Sequence, residues 1–320
     1  MNIAQDACVP LTPVSPAIRP AIGTVTISAA PVLAFATMVG LVAGNVVGVR
    51  IVSRELPLFW GAGTRFAVAG VIFGLFALAR RQPLPRGRAL LAALIFGALQ
   101  FSVGLALGYW AMQRVSAGLA SMILATVPLF TLLFAAAARL ESLHLRGLAG
   151  ALIAMVGIAV LFGARGATGV PILRLVAAVG SAACIALTAI LLKSFPQVAP
   201  ASMNAVGMLT GAALLLMLSV LTGETLQGAA ALIPSSPVAW WAQLYLILPG
   251  SIGVFGLFLY LLRRWKASTV SYQNVLSPPV TIVLSLWLLS EPLSANLALG
   301  GALILAGVYL GALHRARPPD

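Results

Sequence analysis

Long apolar segments, separated by short polar or Pro-rich breaks, run along almost the whole chain. A helix that crosses a bilayer needs roughly 20 mainly apolar residues, and ten such segments can be placed in the sequence. The pattern therefore predicts an all-α membrane protein with ten transmembrane helices. The segments lie near 30–49, 58–79, 89–112, 115–138, 146–163, 175–192, 203–222, 238–262, 267–289 and 295–313.

Composition supports this prediction. Hydrophobic residues make up 61% of the 320 residues and charged residues only 8%, whereas a soluble domain carries about 25% charged residues. The Pro-rich residues 1–29 are predicted to form an irregular tail, and residues 314–320 a short C-terminal tail. Because a single Arg19 precedes a run long enough to span, we expect the first helix to be retained rather than cleaved as a signal peptide.

The net charge of +13 is carried mainly by the loops. If the N-terminus is cytoplasmic, thirteen of the 19 Lys and Arg residues lie on the cytoplasmic side and five on the other, with Arg65 inside the second segment. This bias predicts that both termini are cytoplasmic. Because the basic residues are scattered over many loops, binding to nucleic acid is not predicted. The thirteen are Arg19, Arg80, Arg81, Arg86, Arg88, Arg139, Arg146, Lys193, Arg263, Arg264, Lys266, Arg315 and Arg317.

The residues that usually mark enzymes and metal sites are sparse. Cys8 and Cys184 are far apart in the sequence, and His144 and His314 lie at the ends of predicted helices. Neither an HExxH nor a GxSxG motif occurs. The sequence therefore predicts no enzyme, no bound metal and no cofactor.

Sliding the chain against itself by 150 residues reveals an internal repeat. Matched proline, glutamate and arginine positions are stronger evidence than matched Leu or Ala, which recur by chance in apolar sequence. The matched glycines are expected to allow close helix packing. The pairs are Arg114 with Arg264, Ala117 with Ala267, Ser121 with Ser271, Pro128 with Pro278, Thr131 with Thr281, Glu141 with Glu291, Leu143 with Leu293, Gly150 with Gly300 and Gly157 with Gly307.

Ten helices in two copies make a repeat of five, and an odd number requires the second copy to enter the membrane in the opposite direction. The charges agree, because Arg139 and Arg146 of the first copy correspond to Leu289 and Asn296 in the second. The predicted repeats cover 30–163 and 171–313. Inverted repeats of this kind are typical of transporters, with a substrate site near the midplane between the halves.

The same residues carry a family resemblance. The chain resembles the ten-helix, EamA-type branch of the drug/metabolite transporter superfamily, although it reads LVAGN where the family commonly has a Trp-Gly pair. The resemblance implies a multi-pass carrier in a bacterial inner membrane, often an exporter of amino acids or other metabolites, working by alternating access. Its partners would be the lipid bilayer and a small-molecule substrate, and a homodimer is compatible with it. The residues that carry it are Gly44, Asn45, Pro57, Phe59, Arg65, Pro128 with Glu141, and Pro278 with Glu291.

Polar residues inside the bilayer are the candidates for substrate binding, since they are costly there without a partner or a wet path. In the ninth segment Ser271, Asn274 and Pro278 share one helical face. These polar residues either line a cavity or tie helices together, and the sequence leaves both roles open. The candidates for substrate binding are Asn45, Tyr109, Ser121, Ser271, Tyr272 and Asn274.

Three prolines are predicted to break their helices, namely Pro128, Pro278 and Pro279. A proline lacks the backbone donor and leaves a carbonyl one turn earlier without its usual bond. For Pro278 and Pro279 the freed carbonyls belong to Asn274 and Val275. These carbonyls are expected either to bond neighbouring side chains or to face a substrate.

Charged residues within or beside the segments complete the candidates. Arg65 either bonds carbonyls in a structural role or holds an anionic group of a substrate. Glu141 and Glu291 begin the fifth and tenth helices, where the helix dipole favours a carboxylate. Because no carboxylate lies at mid-span, neutral or zwitterionic solutes are expected rather than permanent cations. A multidrug exporter and a membrane scaffold or sensor without transport activity are the alternatives.

Overall fold

The computed structural model describes residues 29–138, 145–163, 170–192, 198–262, 264–265, 270, 273–290 and 294–312. Those residues form helices and connections, and no strand occurs among them. The helices are α1 (Ala29–Val52), α2 (Leu58–Ala79), α3 (Arg88–Met112), α4 (Ala117–Leu124 and Val127–Ala137), α5 (Leu145–Gly163), α6 (Ile172–Leu192), α7 (Pro200–Leu221), α8 (Pro237–Ile247, Leu248–Gly253 and Val254–Leu262), α9 (Gln273–Leu289) and α10 (Ala295–Ala312).

Each of the ten predicted segments overlaps one of these helices, so the prediction of an all-α membrane protein is confirmed for the described residues. Six of them, α1 to α4, α7 and α8, are long and apolar enough to cross a membrane. Their outward faces carry large exposed apolar side chains such as Leu75 and Trp241, as the outer surface of a helix bundle in lipid does. Residues 267–269, 271 and 272 of the ninth segment lie outside the described residues.

Helices α5 and α10 pack through glycines that the 150-residue repeat relates. A Cβ added to Gly157 would lie 2.8 Å from the carbonyl oxygen of Gly300, and one added to Gly307 would lie 2.5 Å from that of Gly150. The glycine near the C-terminal end of each helix thus meets the glycine near the N-terminal end of the other, so the two helices are antiparallel. A two-fold axis that relates opposed helices is perpendicular to them and lies in the membrane plane, as an inverted repeat requires.

Helices α2 and α7, the second helix of each repeat, pack in the same manner. A Cβ on Gly63 would meet the backbone nitrogen of Leu216 at 3.3 Å, and one on Gly70 would meet that of Leu209 at 3.1 Å. Residue numbers therefore increase along α2 in the direction in which they decrease along α7, so these two helices are also antiparallel. Two equivalent helix pairs with opposed directions connect the two halves of the bundle.

The third helix of each repeat contains a π-helical segment, over Gly97–Gly104 in α3 and over Leu248–Gly253 in α8. Such segments shift the backbone hydrogen bonds by one residue and occur often at functional sites. In α8 the segment includes Pro249, which has no backbone donor of its own. Both third helices therefore depart from regular α-helical geometry near their middle.

Two glutamates accept hydrogen bonds from the opposite repeat at one end of the bundle. The carboxylate of Glu224, in the α7–α8 connection, accepts from the backbone N–H groups of Phe59 and Trp60 at 3.0–3.1 Å. These donors belong to the first turn of α2, whose N-cap position, Pro57, has no side chain to satisfy them. The hydroxyl of Ser219 donates to the same carboxylate at 2.8 Å.

The reciprocal contact is made by Glu55, in the α1–α2 connection. Its carboxylate accepts from the backbone N–H groups of Ser235 at 3.1 Å and Ser236 at 2.9 Å, just before α8. The Ser236 hydroxyl also donates to the Glu55 carboxylate. The hydrogen bonds from Ser236, first from its hydroxyl and then from its backbone, are the largest cause that lowers the pKa of Glu55 from its usual value. Because that pKa is depressed in the folded protein, the stabilisation is present at neutral pH and is lost as the pH falls through the lowered pKa.

The glycine contacts between α5 and α10 predict a strong effect of one methyl group. Gly307→Ala and Gly157→Ala should each lower the free energy of unfolding by about 1–3 kcal/mol, because the added Cβ forces the two helices apart. The thermal unfolding midpoint in detergent measures the effect. The control is Gly40→Ala in α1, where a Cβ meets nothing within 4 Å. Equal midpoints for Gly307→Ala and Gly40→Ala would contradict the proposed pairing.

The crossing glutamate at the start of α2 gives a second prediction. Glu224→Ala should cost about 1 kcal/mol, the usual effect of losing an N-terminal cap. Ser219→Ala removes only the side-chain donor to the carboxylate and should cost less. Thermal unfolding of the two variants beside the unchanged protein tests this order, and a Glu224→Ala protein with full stability would disprove the capping role.

Candidate functional site

The centre of the candidate site is Arg65 in α2, a residue that is only 5% exposed. Its Nε–H donates to the hydroxyl of Ser251 at 2.9 Å and its Nη2 to the carbonyl oxygen of Gly250 at 3.3 Å, both in α8. Its Nη1 donates to the hydroxyl of Tyr109 in α3 at 3.1 Å. The cation is therefore held by neutral oxygens from both repeats.

Asn45 in α1 joins the same group. Its Nδ2 donates to the Gly250 carbonyl oxygen at 2.7 Å, so that this oxygen receives a bond from Asn45 and one from Arg65. The other amide atom, Oδ1, is buried and has no hydrogen-bond partner among the described residues. A Cβ on residue 250 would collide with this oxygen, and only glycine fits there.

The π-helical segment of α8 explains why the Gly250 carbonyl is available. In a regular α-helix the N–H of Val254 would bond to this carbonyl. Here the Val254 N–H donates to the carbonyls of Pro249 and Ser251 instead. The Gly250 oxygen can therefore accept from side chains of α1 and α2, while the hydroxyl of Ser251 donates back to the Leu246 carbonyl at 2.9 Å.

Aromatic rings surround one side of the cation. The guanidinium carbon of Arg65 lies 4.8 Å from the ring centre of Phe66, which in turn contacts Phe101 at 5.1 Å. Phe101 lies in the π-helical segment of α3 and also contacts Phe255 of α8 at 5.5 Å. Phe66 and Phe101 are each 1% exposed, and apolar surroundings of this kind strengthen the electrostatic interactions of a cation.

No carboxylate neutralises Arg65 within the described part of the chain. Both acidic residues described there, Glu55 and Glu224, bond to the helix starts near one end of the bundle. A buried charge is costly unless it is paired or fully hydrogen-bonded. Three of the five guanidinium N–H groups can be assigned to the oxygens described above, and the positive charge itself remains unpaired by an anion there.

The polar contacts between α2 and α8 extend one further turn. The Nε2 of Gln243 donates to the Gly61 carbonyl at 3.0 Å and to the Thr64 hydroxyl at 3.3 Å. Beside Asn45, the hydroxyl of Tyr245 donates to the Leu41 carbonyl of α1 at 2.9 Å. Helices α1, α2 and α8 are thus joined by polar bonds through the interior rather than by apolar packing alone.

The sequence candidates distribute unevenly over this arrangement. The structure brings Asn45, Arg65 and Tyr109 into one hydrogen-bonded group. Ser121 is buried in α4, and its hydroxyl donates to the Gly118 carbonyl of its own helix at 2.8 Å. Asn274 is half-buried in α9. The other candidates, Ser271, Tyr272, Glu141 and Glu291, lie outside the described residues.

The three prolines behave differently from one another. Helix α4 is interrupted at residues 125–126, immediately before the turn that contains Pro128. Pro278 and Pro279 lie inside α9, which is continuous from Gln273 to Leu289, so these two do not interrupt the described helix. Each lacks the backbone N–H that would bond to the carbonyl one turn earlier, on Asn274 for Pro278 and on Val275 for Pro279.

Sequence reasoning missed Gly250, Ser251 and Gln243. The available signal was the LPGS stretch at 248–251, where a proline and a glycine interrupt an otherwise apolar segment. A freed backbone carbonyl has no side-chain signature, however, and small residues are common in membrane helices. The partner of Arg65 was therefore not visible in the residue types.

Comparison with known proteins agrees with this architecture. The pattern of the EamA-like transporter family matches residues 28–163 and again residues 173–312. The Uncharacterized inner membrane transporter YedA of Escherichia coli strain K12 is 30% identical over 270 residues, which are 83% of this chain and 85% of that protein. The proteins of the same name from Escherichia coli O6:H1 and O157:H7 match to the same extent.

A solved crystal structure shares the fold. It aligns with a TM-score of 0.61 and 21% sequence identity, over 91% of this chain and 99% of its own. The tandem family match, the inner-membrane relatives and the apolar helices identify a multi-pass transporter of the drug/metabolite superfamily. The chain belongs to the EamA-like transporter family.

Proposed function

We propose that the protein is a secondary transporter that exports small neutral or zwitterionic metabolites, such as amino acids, by alternating access through a central cavity. The observation that supports this most is the origin of the polar groups at the centre. Asn45, Arg65 and Tyr109 come from the first repeat, whereas Gly250 and Ser251 come from the second. Movement of one repeat against the other would break these bonds and expose the polar groups to a solute.

The free energies of these hydrogen bonds allow them to be replaced by bonds to water or a solute. An intramolecular hydrogen bond contributes a net 0.5–1.5 kcal/mol, or about 1.5–3 kcal/mol when one partner is charged. Water or a polar solute that enters between α2 and α8 can offer equivalent bonds to the same groups. Opening the centre therefore has a moderate cost, whereas leaving Arg65 without any partner would be prohibitive.

Charge and orientation complete the proposal. A guanidinium without an anionic partner disfavours the binding of permanent cations as substrates. The absence of mid-span carboxylates in the sequence disfavours it too. Asn274 of α9 is proposed to contribute from the second repeat, since it shares a helical face with the buried Pro278 and Thr281. Both termini are proposed to be cytoplasmic, with the α1–α2 and α7–α8 connections outside.

Transport by purified protein in proteoliposomes tests this function. The panel contains radiolabelled amino acids, amino-acid carboxamides, uncharged polyols and large apolar cations, and the expected result is saturable flux of the amino acids or the polyols. Gly250→Ala should reduce that flux at least about tenfold, equivalent to 1.4 kcal/mol, because its Cβ displaces the Asn45 amide.

The matched control is Gly256→Ala in the same helix, where a Cβ meets nothing within 4 Å, and it should transport normally. Absence of saturable flux for every member of the panel would contradict the proposed function and favour a scaffold or sensor. Equal flux for large apolar cations and amino acids would favour a multidrug exporter instead.

A further inference from the structure

We propose that Arg65 binds a carboxylate group of the transported solute, side-on through its Nε and Nη2 nitrogens, so that the substrates are carboxylate-bearing zwitterions. The inference rests on the proposed function, which it narrows to one chemical class. It also assigns the recognition to a particular edge of one guanidinium.

The geometry of that edge carries the argument. The Nε–H group and one Nη2–H group of a guanidinium point in parallel and match the two oxygens of a carboxylate. In this structure the same two nitrogens face two separate oxygens of α8, the Ser251 hydroxyl at 2.9 Å and the Gly250 carbonyl at 3.3 Å. These two neutral oxygens therefore occupy the positions that a bidentate carboxylate would take.

The third bond of Arg65 is of a different kind. Its Nη1 donates to Tyr109, which belongs to the same repeat as Arg65. Separation of the two repeats would remove both oxygens from the Nε–Nη2 edge and leave the Tyr109 bond in place. The edge that becomes free is thus the edge that can bind a carboxylate, while Tyr109 keeps the guanidinium oriented.

Charge favours the same exchange. Within the described residues Arg65 is satisfied only by neutral groups, and its guanidinium lies beside the ring of Phe66, which packs on Phe101. The bonds of Arg65 to the Ser251 and Gly250 oxygens already have a charged donor, and a carboxylate would add an opposite charge and a bidentate geometry to them. A carboxylate that replaces the Ser251 and Gly250 oxygens would neutralise the cation as well as satisfy its donors, which water cannot do.

An acceptor for the ammonium group lies beside this edge. Asn45 and Arg65 donate to the same Gly250 oxygen, and the Oδ1 of Asn45 is buried without a described partner. An α-ammonium is one carbon removed from its carboxylate. A zwitterion whose carboxylate contacts Arg65 could therefore donate from its ammonium group to this oxygen.

The test compares solutes that differ in one group, using the full-length protein in proteoliposomes. The probes are the amino acid of the panel that is transported fastest, its carboxamide, and the acid that lacks the amino group. Flux of the amino acid should exceed that of the carboxamide at least about tenfold, since the carboxamide cannot form the bidentate charged pair. Comparable flux for the two would overturn the inference while leaving the transport function intact.

Arg65→Lys provides a second readout. Lysine keeps the charge but lacks the planar fork, so the ratio of amino-acid flux to carboxamide flux should fall about tenfold. Tyr109→Phe removes the Nη1 bond only and should slow transport while preserving the ratio. If Arg65→Lys slows both solutes equally, Arg65 is a structural brace and the inference is wrong.

The outcomes separate the two proposals. No flux of any probe in the unchanged protein contradicts the proposed function itself. If Arg65→Lys fails to fold, comparable flux of the amino acid and its carboxamide in the unchanged protein would still overturn the inference. Flux of the acid that lacks the amino group, at the rate of the amino acid, would reject the role of Asn45 and the restriction to zwitterions, and would retain carboxylate binding by Arg65.

Discussion

A guanidinium held in the apolar interior of a helix bundle constrains the helices that contact it. Arg65 needs oxygens from more than one direction, and the fold supplies them from α3 and α8. The π-helical segment of α8 is the local irregularity that makes this possible, because it releases the Gly250 carbonyl from the ordinary helical bond pattern. The polar contacts among α1, α2, α3 and α8 are thus arranged around Arg65.

The repeat symmetry and the polar centre have different roles. The two-fold contacts use glycines and backbone atoms, as between α5 and α10, where the same positions recur in both copies. The centre is asymmetric, since one repeat supplies the cation and the other supplies neutral oxygens. Exchanged caps from Glu55 and Glu224 tie the two halves at one end. A symmetric frame therefore carries a site that the two copies build unequally.

The sequence predicted much of this and missed an identifiable part. Helices, repeat and inversion were predictable because Gly157 and Gly307, like the matched prolines and glutamates, recur at one spacing. Asn45 and Arg65 stood out because polar side chains are rare in apolar segments. The oxygens that receive them could not be predicted, because a carbonyl freed at Gly250 depends on backbone register. Capping by Glu224 was equally hidden, since its partners lie more than 160 residues earlier in the chain.

The most direct measurement of the central claim is the accessibility of residue 251 from each side of the membrane. Ser251→Cys, in a protein with Cys8→Ser and Cys184→Ser, is treated with a membrane-impermeant thiol reagent in vesicles of either orientation. Alternating access at Arg65 predicts labelling from both faces and protection by a transported solute. Labelling from neither face during transport would show that the Arg65 centre stays closed, and would contradict the account.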